Sequence, residues 1–128
     1  MKKRFYVFVA LIVLLLAAPQ LFAQYNRDLV VSVMRDNVRL LGEINKALQA
    51  EDFYATALSL MELAGGSRTL QQTPPPGGSR AEWNRIHGEM IDAAFRAVGA
   101  CGAKDAAAVQ AEVANLIALR NEGHSKFR

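Results

Sequence analysis

The segment Thr73-Pro74-Pro75-Pro76-Gly77-Gly78 cannot continue a helix, because three consecutive prolines lack backbone donors and two glycines disfavour order. It is the long loop of the chain, and the segments around it carry apolar residues at helical spacing. From Arg27 to Leu48 the apolar positions Val30, Met34, Leu41, Ile44 and Leu48 recur at steps of three, four or seven, with Arg35, Asp36, Arg39, Glu43 and Lys46 off that stripe. Glu51 and Asp52 fit the start of a second helix, with Phe53, Ala57, Leu60, Met61 and Ala64 on one side and a weakening at Gly65-Gly66. After the loop, Ser79 and Glu82 match a capping box, and Trp83, Ile86, Met90, Ala94 and Ala97 or Val98 form the third apolar face, which Gly99 to Gly102 ends. Asp105 is a good cap for a fourth helix, whose stripe reads Val109, Val113, Leu116 or Ile117, Arg120, His124 and Phe127. No alternating strand pattern interrupts the series. The fold class expected is all-α, an antiparallel up-down-up-down four-helix bundle.

Ahead of these helices, Lys2-Lys3-Arg4 precede an uncharged apolar run of 14 residues from Phe5 to Ala18, followed by small residues at Ala18 and Ala23. A run that short falls below the roughly 20 residues of a membrane-spanning helix and reads as a secretory signal peptide. Cleavage after Ala23 divides the chain into a leader, 1–23, and one domain, 24–128; the competing reading is an uncleaved anchor. The leader holds three of the 15 basic residues and none of the 12 acidic ones, so the domain is formally neutral, 12 against 12. The basic character of the whole chain thus belongs to its export signal and gives no support for a nucleic-acid partner. The expected location is the periplasm, with no membrane contact after cleavage and a monomeric state. Cys101 is alone and closes no intramolecular bridge; it is either a small residue beside a helix end or a thiol available for pairing between chains.

In a bundle of this topology the start of the first helix and the end of the fourth share one end, which brings together Met34 and His124. His124 continues the inward stripe four residues after Arg120, although a histidine there also suits the free carbonyls of a helix end. Met34 is on an apolar stripe where methionine is ordinarily core filler. Taken together, a thioether and an imidazole facing each other across a bundle suit low-valent iron in a porphyrin. Two axial protein ligands leave no open coordination position, which favours outer-sphere electron transfer. Arg120 either accompanies a propionate or extends to solvent. Phe53, Trp83, Phe95 and Phe127 could pack near a macrocycle or simply fill the core. His87 falls at the flank of the third stripe and reads as partly exposed; copper ligation with Met90 is conceivable but lacks a visible cluster of donors. No carboxylate pair, phosphate loop or nucleophile elbow appears, so the chain is not expected to be an enzyme.

The tail Arg120-Asn121-x-x-His124-x-Lys126-Phe127-Arg128 closely resembles the C-terminus of the cytochrome b-562 family. Met34 sits at the matching depth of the first helix, Thr73-Pro74-Pro75 resembles the family's mid-chain loop, and His87-Gly88 has a counterpart. The resemblance covers essentially the whole of 24–128 at low identity, with the tail its most specific part. It implies a soluble periplasmic carrier of haem b, bound non-covalently, with Met34 and His124 as axial ligands, Arg120 beside the porphyrin, and redox proteins as partners. In the related cytochromes c-prime, the same helix end carries a Cys-x-x-Cys-His motif. Here Arg120 and Gly123 occupy the two cysteine positions, so thioether attachment is impossible. Gly123 also departs from the family pattern and should loosen the last turn by roughly 1 kcal/mol. That departure keeps a second expectation in view, a haem-free bundle of the same superfamily acting as a periplasmic binding or stress-protective protein.

Overall fold

The computed structural model describes residues 24–127, which form four helices: α1 (Arg27–Gln49), α2 (Phe53–Gln71), α3 (Arg80–Gly102) and α4 (Ala106–Lys126). The leader read at 1–23 lies outside the described residues. Each helix begins the same way. Asn26, Asp52, Ser79 and Asp105 place a side-chain oxygen 3.0–3.2 Å from the backbone N–H of Leu29, Ala55, Glu82 and Ala108 respectively, satisfying a donor the helix leaves unpaired. Ser79 and Glu82 form only half of the expected box, because the Glu82 carboxylate turns instead to Arg85 and Lys126.

The two short connections share one design. Glu51 and Lys104 adopt left-handed backbone at φ 54° and 55°. Behind them the N–H of Asp52 donates to the Ala47 carbonyl at 2.9 Å, and that of Asp105 to Ala100 at 3.0 Å. This six-to-one closure ends one helix and leads into the next within three residues. Glu51 therefore closes α1, and Asp52 alone opens α2.

Helix α1 packs on α2, α2 on α3, and α3 on α4, whereas α1 and α4 form no comparable interface. The main core joins Leu40, Ile44, Leu60, Leu63, Ile86, Ala97, Val109 and Leu116, all at or below 2% exposure. Each Leu, Ile or Val among them contributes roughly 1.5–3 kcal/mol of transfer free energy. Ala93, Ala94 and Ala97 line the buried side of α3, and residues this small let neighbouring helices approach closely. A smaller cluster gathers Val30, Leu70 and Trp83, and there the indole N–H donates to the Leu70 carbonyl at 2.7 Å, satisfying the ring and a terminal carbonyl of α2 together. Ion pairs tie the surface: Arg39 to Glu62 at 3.0 Å, Arg96 to Glu112 at 2.8 Å, and Lys126 to Glu82 at 2.8 Å.

The sequence places a weak point at Gly65-Gly66, but α2 runs through both glycines to Gln71. Gly66 has a packing reason: a Cβ there would stand 3.1 Å from Asn37 Oδ1 and 3.1 Å from Val33 Cγ1, so α1 rests directly on its backbone. Gly65 faces open space. Gly65→Ala should therefore stabilise the protein by about 0.5–1 kcal/mol through helix propensity alone. Gly66→Ala should fail to show that gain, because Asn37 and Val33 must yield. Urea unfolding of the two variants against the parent checks this, and equal stabilisation by both would contradict the close α1–α2 approach.

Candidate ligand-binding cavity

Because α1 and α4 do not close against each other, the apolar residues along that seam line a cavity of about 350 Å³. Helix α1 carries two apolar stripes. Val30, Leu40, Ile44 and Leu48 enter the core, while Val31, Met34, Val38 and Leu41 recur at steps of three and four and face the cavity. Helix α4 lines the other side through Leu116, Leu119, Arg120, Gly123 and His124, and the floor comes from Leu63 and Leu70 of α2 and from Trp83, Ile86, His87 and Met90 of α3.

Met34, Arg120 and His124 all line this one cavity. Met34 and Phe127 both pack on the Val30, Leu70 and Trp83 cluster, which brings the start of α1 and the end of α4 to the same place. Trp83 organises that end, meeting Phe127 edge-to-face at 5.1 Å and His87 at 4.4 Å. The proline–glycine loop runs beside it: Gly78 has φ +72°, and a Cβ there would lie 3.4 Å from the Phe127 ring. Of the four aromatics considered, Trp83 and Phe127 line the cavity, Phe95 is 52% exposed, and Phe53 packs against the main core.

Gly123 does not fray the last turn of α4. The helix continues to Lys126, and Phe127 N–H donates to the Gly123 carbonyl at 2.9 Å. A Cβ at Gly123 would meet Ile86 at 3.7 Å, an ordinary contact. What holds the turn is a lattice of charges across α3 and α4, with Arg85 reaching Glu82, Glu89 and Glu122, and Lys126 reaching Glu82 and Glu122. The two cations hold the Glu82 carboxyl down at about 2, through hydrogen bonds from Arg85 first and Lys126 second. Its signal in the sequence is the spacing Glu82, Arg85, Glu89 and Glu122, Lys126, which places partners three or four apart on a helix.

Charge inside the cavity is one-sided. Arg35 and Arg120 line it and no carboxylate does. Arg39, Arg85 and Arg96 engage acidic partners, while Arg35 and Arg120 pair with none of the described carboxylates. An apolar chamber with two uncompensated guanidinium groups suits an apolar ligand bearing acid groups.

His87 is buried, contrary to the partly exposed position the sequence suggests. Only 6% of it is exposed, and Nδ1 has no hydrogen-bond partner. Its place was legible: His87 follows Trp83 by four and precedes Met90 by three, so it continues the inward stripe. Cys101 is buried in the main core, which lifts its thiol pKa. Among the described residues no group of three or more His, Cys, Asp or Glu side chains forms a metal site, and no helix is long and apolar enough to cross a membrane. Comparison with protein-family models, with curated proteins and with solved structures finds no match.

Burial pushes the His87 imidazole from 6.5 down to about 4. The unfolded chain therefore takes up this proton first as pH falls, so the stability that the neutral ring permits is complete above 6.5 and is lost progressively towards 4. Between pH 7.5 and 4.5 the loss should be on the order of 2 kcal/mol. His87→Leu should flatten that limb in denaturant titrations. The Glu82 contribution has a separate window, present above about 4.5 and lost towards 2, so it does not mask the result. An unchanged slope in the His87 variant would refute the assignment.

Proposed function

We propose that this chain is a periplasmic b-type cytochrome, exported by a cleaved leader, whose up-down-up-down bundle binds haem b non-covalently and exchanges single electrons with redox proteins as a monomer. The observation that carries the reading is that Met34 of α1 and His124 of α4 line one apolar chamber at the seam between those helices. An antiparallel arrangement is supported by the side chains that meet: Trp83 with Leu70 and Glu82 with Lys126 pair early positions of one helix with late positions of its neighbour.

The residues present fit a porphyrin. A thioether and an imidazole are a donor set for low-valent haem iron, the lining is apolar, and Arg35 and Arg120 supply charge for two propionates. Met34 and His124 would hold the iron, and Arg120, one turn before His124, would offer charge to a carboxylate of the porphyrin. Bound haem would supply a one-electron couple, which methionine ligation poises towards higher potential. The protein's own part is to exclude water with Trp83, Ile86 and Phe127 and to fix α4 through the Arg85–Lys126 lattice, so that its last turn is ordered around His124. Neither cysteine of an attachment motif is present, so retention depends on packing and ligation alone.

A second reading rests on the unpaired arginines. Two guanidinium groups over an apolar chamber need no iron, and the same geometry suits a haem-free bundle of binding or protective role that takes an apolar carboxylate.

Hemin added to the purified protein should give a low-spin spectrum with two axial protein ligands, shifting towards high spin in Met34→Ala and reverting to free hemin in His124→Ala. A ligand selective for the folded state raises its stability by mass action, about 2.7 kcal/mol at a hundredfold excess over Kd. Hemin should accordingly raise Tm more than metal-free protoporphyrin does. Equal shifts from the two would favour the haem-free reading, and a free-hemin spectrum with the parent protein would remove the cytochrome one.

A further inference from the structure

The chamber at the seam is a slot closed at both ends. At one end Met34 and Phe127 pack on the Trp83 cluster, and at the other Leu41 packs against the main core that holds Leu116. Its α1 wall runs from Val31 to Leu41, ten residues on, which is about 15 Å of helix. A volume of about 350 Å³ spread over that length leaves a section of about 23 Å², or about 5 Å on a side. Carbons in contact stand about 4 Å apart, so this is the width of one alkyl chain. Val31 and Val38 remain 37% and 53% exposed, so apolar surface on this wall is left to water. Besides the two histidines, the polar side chains of the lining are Arg35, Arg120 and the Asn37 amide; all three can donate hydrogen bonds, and no carboxylate lines the chamber with them.

We propose that the slot holds one straight-chain fatty acid, its carboxylate taken by Arg35 and Arg120 and its alkyl chain lying along Val31, Met34 and Val38. This names the ligand class of the haem-free reading and rests on it. Guanidinium groups recognise a carboxylate through paired hydrogen bonds, and Arg35 and Arg120 come from the two helices that flank the open seam, so one head group engages both walls. A neutral lipid would leave both guanidinium groups uncompensated beside an apolar slot. A two-chain lipid or a branched acid exceeds the section. One alkyl chain fills the width and removes the exposed faces of Val31 and Val38 from water. Binding is reversible and non-covalent, and because Met34 is covered by the same chain, fatty acid and haem compete for one chamber.

The test is calorimetric titration of the purified, delipidated, hemin-free protein at neutral pH with hexanoate, octanoate, decanoate, dodecanoate and tetradecanoate, and with 1-octanol. The expected result is one alkanoate per chain, with affinity rising about fourfold for each added methylene. The rise should level off at about a dozen carbons, where a chain advancing about 1.25 Å per carbon reaches the closed end of the slot. Octanoate should bind more tightly than 1-octanol, and Arg35→Gln and Arg120→Gln should each weaken octanoate about tenfold while leaving 1-octanol unchanged. An affinity that keeps climbing through tetradecanoate with several molecules per chain, equal binding of the alcohol, or indifference to both substitutions would overturn the proposal. Metal-free protoporphyrin separates it from the reading it rests on: if the porphyrin binds and no alkanoate does, the acid-binding reading stands and the fatty-acid proposal falls, and if neither binds, both fall. The hemin spectrum reports on the cytochrome reading alone.

Discussion

The cavity exists because α1 is secured through α2 and not through α4. A helix of 23 residues is held by one neighbour along the Val30, Leu40, Ile44 and Leu48 stripe, with Gly66 giving the close approach and Arg39 reaching Glu62. Its second stripe, Val31, Met34, Val38 and Leu41, is left facing a seam. Val31 and Val38 are 37% and 53% exposed, a large apolar exposure for a helix whose other face is fully packed. A closed bundle would bury that stripe against α4. Here it lines a chamber instead, an apolar surface of the kind that marks ligand-binding grooves.

That open seam makes demands on the rest of the molecule. Helix α3 must hold α2 and α4 firmly, and it does so with Ala93, Ala94 and Ala97, whose small side chains leave no bulk at the contact. The last turn of α4 lacks support from α1, and Gly123 weakens it further. The Glu82, Arg85, Glu122 and Lys126 lattice answers that weakness by bracing the turn from α3. Individually these exposed pairs contribute little, but a network with a shared arginine is ordered as a unit. The same end is weighted by Trp83, which binds the Leu70 carbonyl and packs on both His87 and Phe127. Rigidity at the cavity is thus built on α3, and α1 is the wall with the fewest neighbours.

Much of this was legible before any coordinates. Asp105 and Ser79 announced helix starts because only a short polar side chain satisfies the first free N–H groups, and the triple proline fixed the long break. An up-down topology leads to the expectation that Met34 and His124 share one end, and both line the same chamber. Other features resisted. Two apolar stripes on α1 interleave at adjacent positions, Val30 with Val31 and Leu40 with Leu41, so periodicity merges them into one broad face. Thr56 is buried where an apolar residue is expected, because its hydroxyl donates to the Asp52 carbonyl, whereas Asn37 is buried beside Gly66 with its Oδ1 unpartnered. Gly65-Gly66 reads as a weakening of the second helix, but tertiary packing on Gly66 outweighs a propensity cost of about 1 kcal/mol per glycine. The pairing of Arg85 with Glu122 spans 37 residues, beyond the reach of any local pattern.

The cavity's electrostatics also separate two kinds of occupant. Most lining atoms are apolar, so no site here binds through numerous polar contacts; selectivity must come from the few polar groups that remain. Arg35 and Arg120 reward negative charge at the wall, whereas the sulfur and imidazole donors reward a soft metal within. A metalloporphyrin with peripheral carboxylates would use both sets at once. An organic acid without metal uses only the outer one. The two occupants draw on different subsets of the same side chains: the arginines would govern affinity for both, and Met34 and His124 for the first alone. A molecule that engages both sets is the one whose binding would bring α1 and α4 together most firmly, because the side chains it engages come from two helices that form no interface comparable to the others.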